Sequence, residues 1–171
     1  EKKIFHRGPD SGGYLTEENV TLIFRRLSII DLSKFSNQPM RLSKQKISLV
    51  FNGEIYNYLD LKKELLLKGY VFKSKGDAEV ILNGYLEWGE KISNKLQGMF
   101  TFAILDLNKR CVFISRDQMG IKPLYMMQSS DIIYIGSEIK PLKEIVNLEV
   151  DKESLKEIVL FRYASGKSTG Y

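Results

Sequence analysis

Cysteine and histidine are almost absent from this sequence, and their scarcity excludes several kinds of protein. One cysteine and one histidine occur in 171 residues. An internal disulfide framework therefore cannot form, and a cytoplasmic protein is the simplest expectation. The same two residues cannot supply a Cys/His zinc site, and no metal is expected in this domain. The thiol, Cys111, lies in a predicted strand, where a buried cysteine is usually an inert packing residue and not a nucleophile.

Long apolar runs are missing as well. No window approaches about 18 consecutive apolar residues, which excludes a transmembrane helix, and no membrane partner is expected. Residues 1–6 are not a signal peptide, because their charged residues are not followed by an apolar segment. The sequence also begins without methionine. We therefore expect a fragment or a processed form of a longer chain.

Charge of one sign is not concentrated in any segment. The net charge of +5 arises from 26 basic and 21 acidic residues, and the lysines mostly stand beside acidic residues. A nucleic-acid-binding protein would need a basic block or a readout motif, so no nucleic-acid partner is expected. The spacing of a phosphate-binding loop is lacking both at 116–125 and at 166–168. We interpret 116–125 as a tight connection between strands, pinned by an Arg/Asp pair.

The apolar content of 43% is enough for one domain with a buried core. Hydrophobic periodicity predicts strands at 20–25, 47–51, 99–107, 111–115, 123–127 and 132–136, and helices at 59–68, 78–88, 91–96 and 152–162. Asn57, Asp77 and Asp151 are the predicted N-caps, and Gly69 is a predicted helix stop. Strands followed by helices and then an antiparallel meander predict an α+β fold.

The most informative segment is the one around Asn52 and Gly53. The apolar strand at 47–51 is predicted to end there, and a helix follows, so an amide and a glycine N–H would meet at a strand-to-helix corner. Two such donors can hold one negatively charged oxygen. A plain turn is the structural alternative for an Asn-Gly pair.

Two charged residues complement these donors. Arg26, at a strand end, can grip a carboxylate with its planar guanidinium, and Asp77 can accept from an ammonium. Together with the Asn-Gly pair they would suit an α-amino acid that carries a reactive side-chain amide. The alternatives are an ion pair of Arg26 with Asp31 or another surface acid, and a role for Asp77 as N-cap alone.

The order of the motifs resembles the glutaminase domain of glutamine-dependent asparagine synthetases. The motifs are His-Arg-Gly-Pro-Asp at 6–10, Arg-Leu-Ser-Ile-Ile-Asp at 26–31 with Gln-Pro-Met at 38–40, Phe-Asn-Gly-Glu-Ile-Tyr-Asn at 51–57, Asp-Ala-Glu-Val at 77–80, Gly-Met-Phe-Thr-Phe-Ala at 98–103, Arg-Asp-x-x-Gly-Ile-Lys-Pro-Leu-Tyr at 116–125 and Ser-Glu-Ile-Lys at 137–140. The resemblance implies an N-terminal-nucleophile hydrolase-like fold, a four-layer αββα sandwich of two mainly antiparallel sheets. It also implies that 1–162 form the amidotransferase domain and 163–171 a linker toward a C-terminal synthetase domain.

The resemblance further implies a reaction, in which a cysteine thiolate attacks the side-chain amide of glutamine and water resolves the thioester. Arg26 would bind the substrate α-carboxylate near the backbone of Leu27 and Ile30. Asn52 and Gly53 would form the oxyanion hole, and Glu54 and Asp77 would bind the α-amino group.

The chain departs from the family pattern in two respects. The family nucleophile is an N-terminal cysteine, which we expect upstream of Glu1, so the 171 residues alone are expected to be inactive; Cys111 does not occupy an equivalent place. Gly76 also stands where the family usually has serine.

The expected partners are glutamine and the C-terminal synthetase domain, in which ATP and magnesium would activate aspartate; no cofactor is expected here. A homodimer is one of the assemblies that the sequence allows. The alternatives are the same domain feeding a sugar or an antibiotic precursor, and a glutamine-binding module without catalysis.

Overall fold

The structure is a computed structural model that describes residues 2–27, 31–145 and 148–163. The chain divides into two compact units, Glu1–Leu124 and Tyr125–Tyr171. None of the helices described in either unit has the length and apolar character that a membrane-spanning segment requires.

The first unit contains two antiparallel sheets among its described residues. One is the hairpin of β1 (Ser11–Glu17) and β2 (Val20–Arg26). The other has four strands in the order β3-β4-β5-β6, namely β3 (Met40–Leu42), β4 (Ile47–Ile55), β5 (Gly98–Asp106) and β6 (Cys111–Arg116). Short 3-10 turns lie at Lys2–Arg7, Lys34–Ser36, Ser43–Gln45 and Gly89–Asn94.

Two helices complete the core of this unit, α1 (Tyr58–Leu67) and α2 (Ala78–Trp88). Their buried apolar side chains form one cluster with alternate residues of β4 and β5, including Leu61, Leu65, Val80, Ile81, Leu49, Phe51, Phe100 and Phe102. Because successive strand residues point to opposite faces, the residues between them on β4, Asn52 among them, belong to the other face of the sheet.

The second unit consists of the hairpin β7 (Tyr125–Ser129) and β8 (Ile132–Gly136), followed by α3 (Ile139–Lys143) and α4 (Lys152–Phe161). Asp151 caps α4 as predicted, accepting from Glu153 N at 3.1 Å and from Ser154 Oγ at 2.6 Å. The predicted linker at 163–171 lies outside the described residues from 164 onward, as does the Gly-Lys-Ser segment at 166–168.

The α+β class and the antiparallel pairing predicted from the sequence are confirmed, and most predicted elements shift by only a few residues. The strand β1 was not predicted, because its Ser-Gly-Gly start has little strand propensity. Gly69 ends the first helix as expected, with a φ of +88°.

The predicted strand-to-helix corner at Asn52 and Gly53 is wrong. Strand β4 continues through both residues to Ile55, because β5 pairs with it along its whole length, as far as Gly98 opposite Ile55. Glycine allows β4 to continue here beside β5, since Gly53 has a φ of +151° and an added Cβ would lie 2.7 Å from Phe100 Cα.

Two of the predicted N-caps occupy the right positions but do not cap their helices. The Asn57 side chain donates to Lys95 O at 2.9 Å and accepts from Gln97 N at 3.0 Å. The Asp77 side chain makes no capping hydrogen bond to α2 and accepts instead from Ile55 N of β4 at 3.0 Å, although the Ala78 N–H lies close enough to lower its pKa. Both polar side chains are used instead in contacts distant in sequence, which helix propensity does not encode.

Candidate functional site

The site is built on the outer edge of β4. Strand β3 pairs with β4 only as far as Leu49, so the N–H groups beyond it on that edge need other acceptors. Phe51 N donates to Gln38 Oε1 at 2.6 Å, and Ile55 N donates to Asp77 Oδ2 at 3.0 Å. Gly53 lies midway between these two occupied donors.

The Gly53 N–H points to this open edge. Phe100, opposite Gly53 in the register, donates its N–H to Asp117 Oδ2 at 3.2 Å, and its carbonyl accepts from Asp117 N at 2.8 Å. The N–H and C=O of a strand residue point to the same edge, so Gly53 and Phe100 form a non-hydrogen-bonded pair. The Gly53 N–H is therefore directed away from β5, toward the edge of β4 on which β3 pairs only as far as Leu49.

Asn52 supplies a second open donor beside it. Its Nδ2 atom is buried and has no hydrogen-bond partner, and among the described residues it is the one buried side-chain nitrogen or oxygen in this condition. Leaving a buried amide unpaired costs about 1–3 kcal/mol. A buried polar group that stays unpaired despite this penalty requires an explanation. An amide donor next to an open backbone N–H has the composition of an oxyanion hole.

Two carboxylates lie near the end of the same strand. Asp77 is buried, and burial is the main cause that raises the pKa of this carboxyl group. The charge of Glu54 raises the pKa further, against the lowering effect of the Ile55, Asp77 and Ala78 N–H groups. Glu54 has no hydrogen-bond or ion-pair partner among the described residues. A bound ammonium group would neutralise the uncompensated negative charge of Glu54.

Arg26 is held so that one side of its guanidinium stays open. Nη1 donates to Ser33 O at 3.0 Å and to Asn37 Oδ1 at 2.7 Å, and Nη2 donates to Asp31 O. These bonds use both Nη1 protons and one Nη2 proton. The Nε proton and the second Nη2 proton have no acceptor among the described residues. That pair is one of the forks with which arginine binds a carboxylate bidentately.

The predicted alternative for Arg26, an ion pair with the Asp31 carboxylate, is wrong. The Asp31 carboxylate instead accepts from Ser33 N at 2.8 Å, Ser36 Oγ at 2.7 Å and Lys75 N at 2.8 Å. Burial would raise the pKa of Asp31, but these hydrogen bonds outweigh it and hold the pKa well below its usual range. Asp31 therefore stays ionised inside the protein.

The segment before α2 is fixed by a further buried acid. Glu79 accepts from Lys73 N at 3.0 Å and from Ser74 N and Oγ, both at 2.6 Å. The 73–74 segment is thus anchored to α2 itself. Glu79 belongs to the support of the site and not to its open surface, since it is buried at 4% exposure.

The connection at 116–125 is pinned by Arg116 and Asp117, as predicted, although each binds the backbone and not the other. Arg116 donates to Gly120 O at 2.5 Å and to Lys122 O at 2.6 Å. Asp117 accepts from Ile121 N at 2.8 Å and Lys122 N at 3.0 Å. These main-chain donors are consumed within the loop, so they are not available to a phosphate.

Cys111 is far from the open donors of β4. The register places Cys111 opposite Asp106 and Ile47, whereas Asn52 lies opposite Thr101 and Arg116. Five strand positions separate the two rows, about 16 Å along the strands, and an odd number of positions puts the side chains on opposite faces.

Among the described residues, no group of three or more His, Cys, Asp or Glu side chains is arranged to hold a metal ion.

Sequence reasoning identified Arg26, Asn52, Gly53, Glu54 and Asp77, and the structure links their segments through Asp31 and Gln38. The linking roles of Asp31 and Gln38 are not evident from the sequence. Gln38 carried a signal in its motif, but its bond to Phe51 is a long-range contact that no local pattern reveals. Leu27 follows Arg26 with an exposed side chain, and Ile30 lies outside the described residues.

Comparisons with known proteins agree on one kind of domain. A family model described as "Glutamine amidotransferase domain" matches residues 1–171. The chain is 44% identical over 167 residues to asparagine synthetase (glutamine-hydrolyzing) 1 of Bacillus subtilis, covering 97% of this chain and 26% of that protein. It is 41% identical over 138 residues to asparagine synthetase B (glutamine-hydrolyzing) of Escherichia coli, covering 80% of this chain and 24% of that protein.

The chain thus spans about a quarter of the length of these relatives. Among solved structures, the glutamine phosphoribosylpyrophosphate amidotransferase of B. subtilis matches with a TM-score of 0.59 at 20% identity, over 70% of this chain and 28% of that one. An allosteric regulatory enzyme of purine biosynthesis matches with a TM-score of 0.51 at 22% identity, over 60% and 24%. These two likenesses confirm the N-terminal-nucleophile hydrolase type of fold.

Proposed function

We propose, since this chain belongs to the family of glutamine amidotransferase domains, that it binds L-glutamine and hydrolyses its side-chain amide to glutamate and ammonia. In the protein that contains it, the ammonia would convert aspartate to asparagine. The observation that carries the proposal is the buried, unpartnered Asn52 Nδ2 beside the open Gly53 N–H.

These two donors suit the charge that develops in amide hydrolysis. When a thiolate adds to the amide carbon, the carbonyl oxygen becomes an oxyanion, which the donors at 52 and 53 would stabilise. Collapse of this intermediate breaks the C–N bond, and the protonated nitrogen leaves as ammonia. Water then adds to the thioester and releases glutamate and the thiol.

The other groups of the site suit the α-carbon end of the substrate. The open Nε/Nη2 fork of Arg26 would bind the α-carboxylate in two parallel hydrogen bonds. Glu54 and the Asp77 carboxylate would receive the α-ammonium, whose charge offsets theirs. Main-chain groups of Leu27 and Ile30 are proposed to lie beside the carboxylate.

The nucleophile of this proposal is a cysteine outside these 171 residues. Cys111 is excluded by its distance from Asn52 along the sheet and by its face. A Cys111→Ser variant is therefore expected to release ammonia at the rate of the unchanged protein. The 171-residue chain alone is expected to bind glutamine without hydrolysing it at an enzymatic rate.

Aspartate is the proposed acceptor because the relatives at 41–44% identity are named as asparagine synthetases. ATP and magnesium would act in the synthetase domain of the protein, where they activate the acceptor, and not at the residues described above. The remainder of the coding region should be sequenced, and the full-length protein that it encodes should be assayed for asparagine formation from aspartate, glutamine and ATP. These two results test the assignment.

Steady-state ammonia release from glutamine, in the protein that contains this chain, tests the site. Arg26→Ala should raise KM for glutamine by at least about tenfold, because a charge-assisted bidentate contact is lost. Asn52→Ala should lower kcat about 100- to 1,000-fold with little change in KM. An unchanged KM in the Arg26 variant would contradict the carboxylate assignment, and an unchanged kcat in the Asn52 variant would contradict the oxyanion hole.

A further inference from the structure

We propose that Asp31 is a positioning residue that holds Arg26 and the segment of Asp77 at a fixed spacing, so that one ligand must present both a carboxylate and an ammonium to bind well. This inference rests on the proposed function, because it assumes that these two residues bind the two charged groups of an amino acid. It assigns Asp31 no contact with the substrate.

The Arg26 side of this arrangement depends on one short segment. All three hydrogen bonds of the guanidinium go to groups between residues 31 and 37, two of them to the carbonyls of Asp31 and Ser33. The direction of the open fork is therefore set by the position of this segment and not by the strand β2 that carries Arg26.

The Asp77 side is joined to the same segment through the Asp31 carboxylate. Asp31 Oδ2 accepts from Lys75 N at 2.8 Å, across 44 residues of sequence and two residues before Asp77. The same oxygen accepts from Ser36 Oγ at 2.7 Å. One carboxylate oxygen thus bonds both the segment that orients Arg26 and the segment that leads to Asp77.

Glycine at position 76 allows the two segments to approach this closely. A Cβ at Gly76 would lie 3.1 Å from Ser36 Oγ and 3.6 Å from Asp31 Cβ. The first distance is tight, so the Ser36 side chain would have to shift by a few tenths of an ångström to admit a Cβ at position 76.

A second buried aspartate offers a matched control. Asp106 accepts from two backbone N–H groups and one hydroxyl, as Asp31 does: from Asn108 N at 3.0 Å, Lys109 N at 3.1 Å and Tyr85 Oη at 3.0 Å. It also lies 3.9 Å from Lys109 Nζ. Its backbone donors are two and three residues away and its hydroxyl donor lies within α2, so it bonds neither the 31–37 segment that orients Arg26 nor the 73–77 segment that leads into α2. The two aspartates have similar burial, with 8% and 4% exposure.

The test compares binding of two ligands by isothermal titration calorimetry, L-glutamate, which is the reaction product, and glutarate, which lacks the amine. The unchanged protein should prefer L-glutamate. Asp31→Ala should reduce this preference at least about tenfold, because a displacement of about 1 Å between two binding groups is sufficient for such an effect. Asp106→Ala should lower the melting temperature and leave the preference unchanged. Asp31→Asn, which retains one acceptor oxygen, should restore part of the preference and keeps the test valid if the alanine variant does not fold.

The outcomes separate this inference from the proposed function. Equal affinities for the two ligands in the unchanged protein, or no binding of either, would overturn the proposed function itself. A preference that persists in both Asp31 variants would overturn the positioning role alone. An equal loss of preference in the Asp106 variant would show a general effect of destabilisation and would also overturn it.

Discussion

Asp77 accepts a 3.0 Å hydrogen bond from the backbone N–H of Ile55, which ties the start of α2 to the last residue of β4. A carboxylate at the N-cap position would ordinarily bond the first turn of its own helix. Here it bonds a strand and lies buried near Glu54. Helix α2 therefore lacks a side-chain cap. The Asp77 carboxylate lies instead at the Ile55 end of the β4 edge that carries Asn52 and Gly53.

The raised pKa of Asp77 predicts opposite effects of pH on stability and on binding. Its folded pKa lies above the ordinary value of 3.8, through burial first and then the charge of Glu54. The stability contributed by the protonated form is complete below 3.8 and is lost as pH rises through the raised pKa. Binding of an ammonium needs the ionised form, so affinity for L-glutamate should increase over the same pH interval.

An Asp77→Asn variant checks both effects, because asparagine can still accept from Ile55 N. At pH 7 it should unfold at higher urea concentration than the unchanged protein, and the difference should disappear at low pH. Its affinity for L-glutamate should fall about tenfold to a hundredfold, since a hydrogen bond between charged groups contributes about 1.5–3 kcal/mol. Lower stability of the variant at pH 7 would contradict the assigned pKa direction.

Removal of the Asn52 amide should separate activity from stability. Because its Nδ2 has no partner, Asn52→Ala loses no intramolecular bond of that group, and the free energy of unfolding should stay within about 0.5 kcal/mol or rise. The matched control is Asn83, a buried asparagine whose Nδ2 donates to Val71 O at 3.4 Å. Asn83→Ala should lose about 1 kcal/mol of stability and leave kcat unchanged. Urea denaturation and ammonia release measure the two quantities, and a destabilised Asn52 variant with normal kcat would refute the assignment.

Gly53 should tolerate no side chain. An added Cβ would overlap Met99 O and lie 2.7 Å from Phe100 Cα, at a φ of +151°. Gly53→Ala should therefore lose at least about 2 kcal/mol, from overlap and backbone strain together. Gly69 is the control, since its φ is +88° but a Cβ there meets nothing within 4 Å; Gly69→Ala should lose about 1 kcal/mol. Equal losses in urea denaturation would show that the close approach of β5 does not matter.

Local patterns predicted the elements, but not the contacts that assemble the site. The alternating strands and the helical spacing of residues such as Leu61 and Leu65 reflect burial, which the sequence encodes directly. The extension of β4 past Asn52 depends on a partner strand more than 40 residues away, so the Asn-Gly pair suggested a turn. The carboxylates of Asp31 and Asp77 likewise bond backbone groups remote in sequence. Residue chemistry could suggest what Arg26 and Asp77 bind, whereas tertiary structure decides which of their protons and oxygens remain open.

Gln38 provides the last prediction, because its side chain holds the edge of β4 next to the oxyanion donors. Its Oε1 accepts from the partly buried Phe51 N at 2.6 Å, two residues before Gly53. Gln38→Ala should leave that N–H unpaired, lose about 1–3 kcal/mol of stability and lower kcat. Gln38→Glu keeps the acceptor, so it should recover most of the stability. Its carboxylate, however, would lie about 7 Å along the strand from the oxyanion and repel the charge that forms there, so kcat should stay low.

Gln97→Ala, which removes an exposed amide, is the control and should change neither stability nor kcat. Full recovery of kcat in the Glu variant would mean that Gln38 acts only through stability, and loss of stability in that variant would contradict the bond to Phe51.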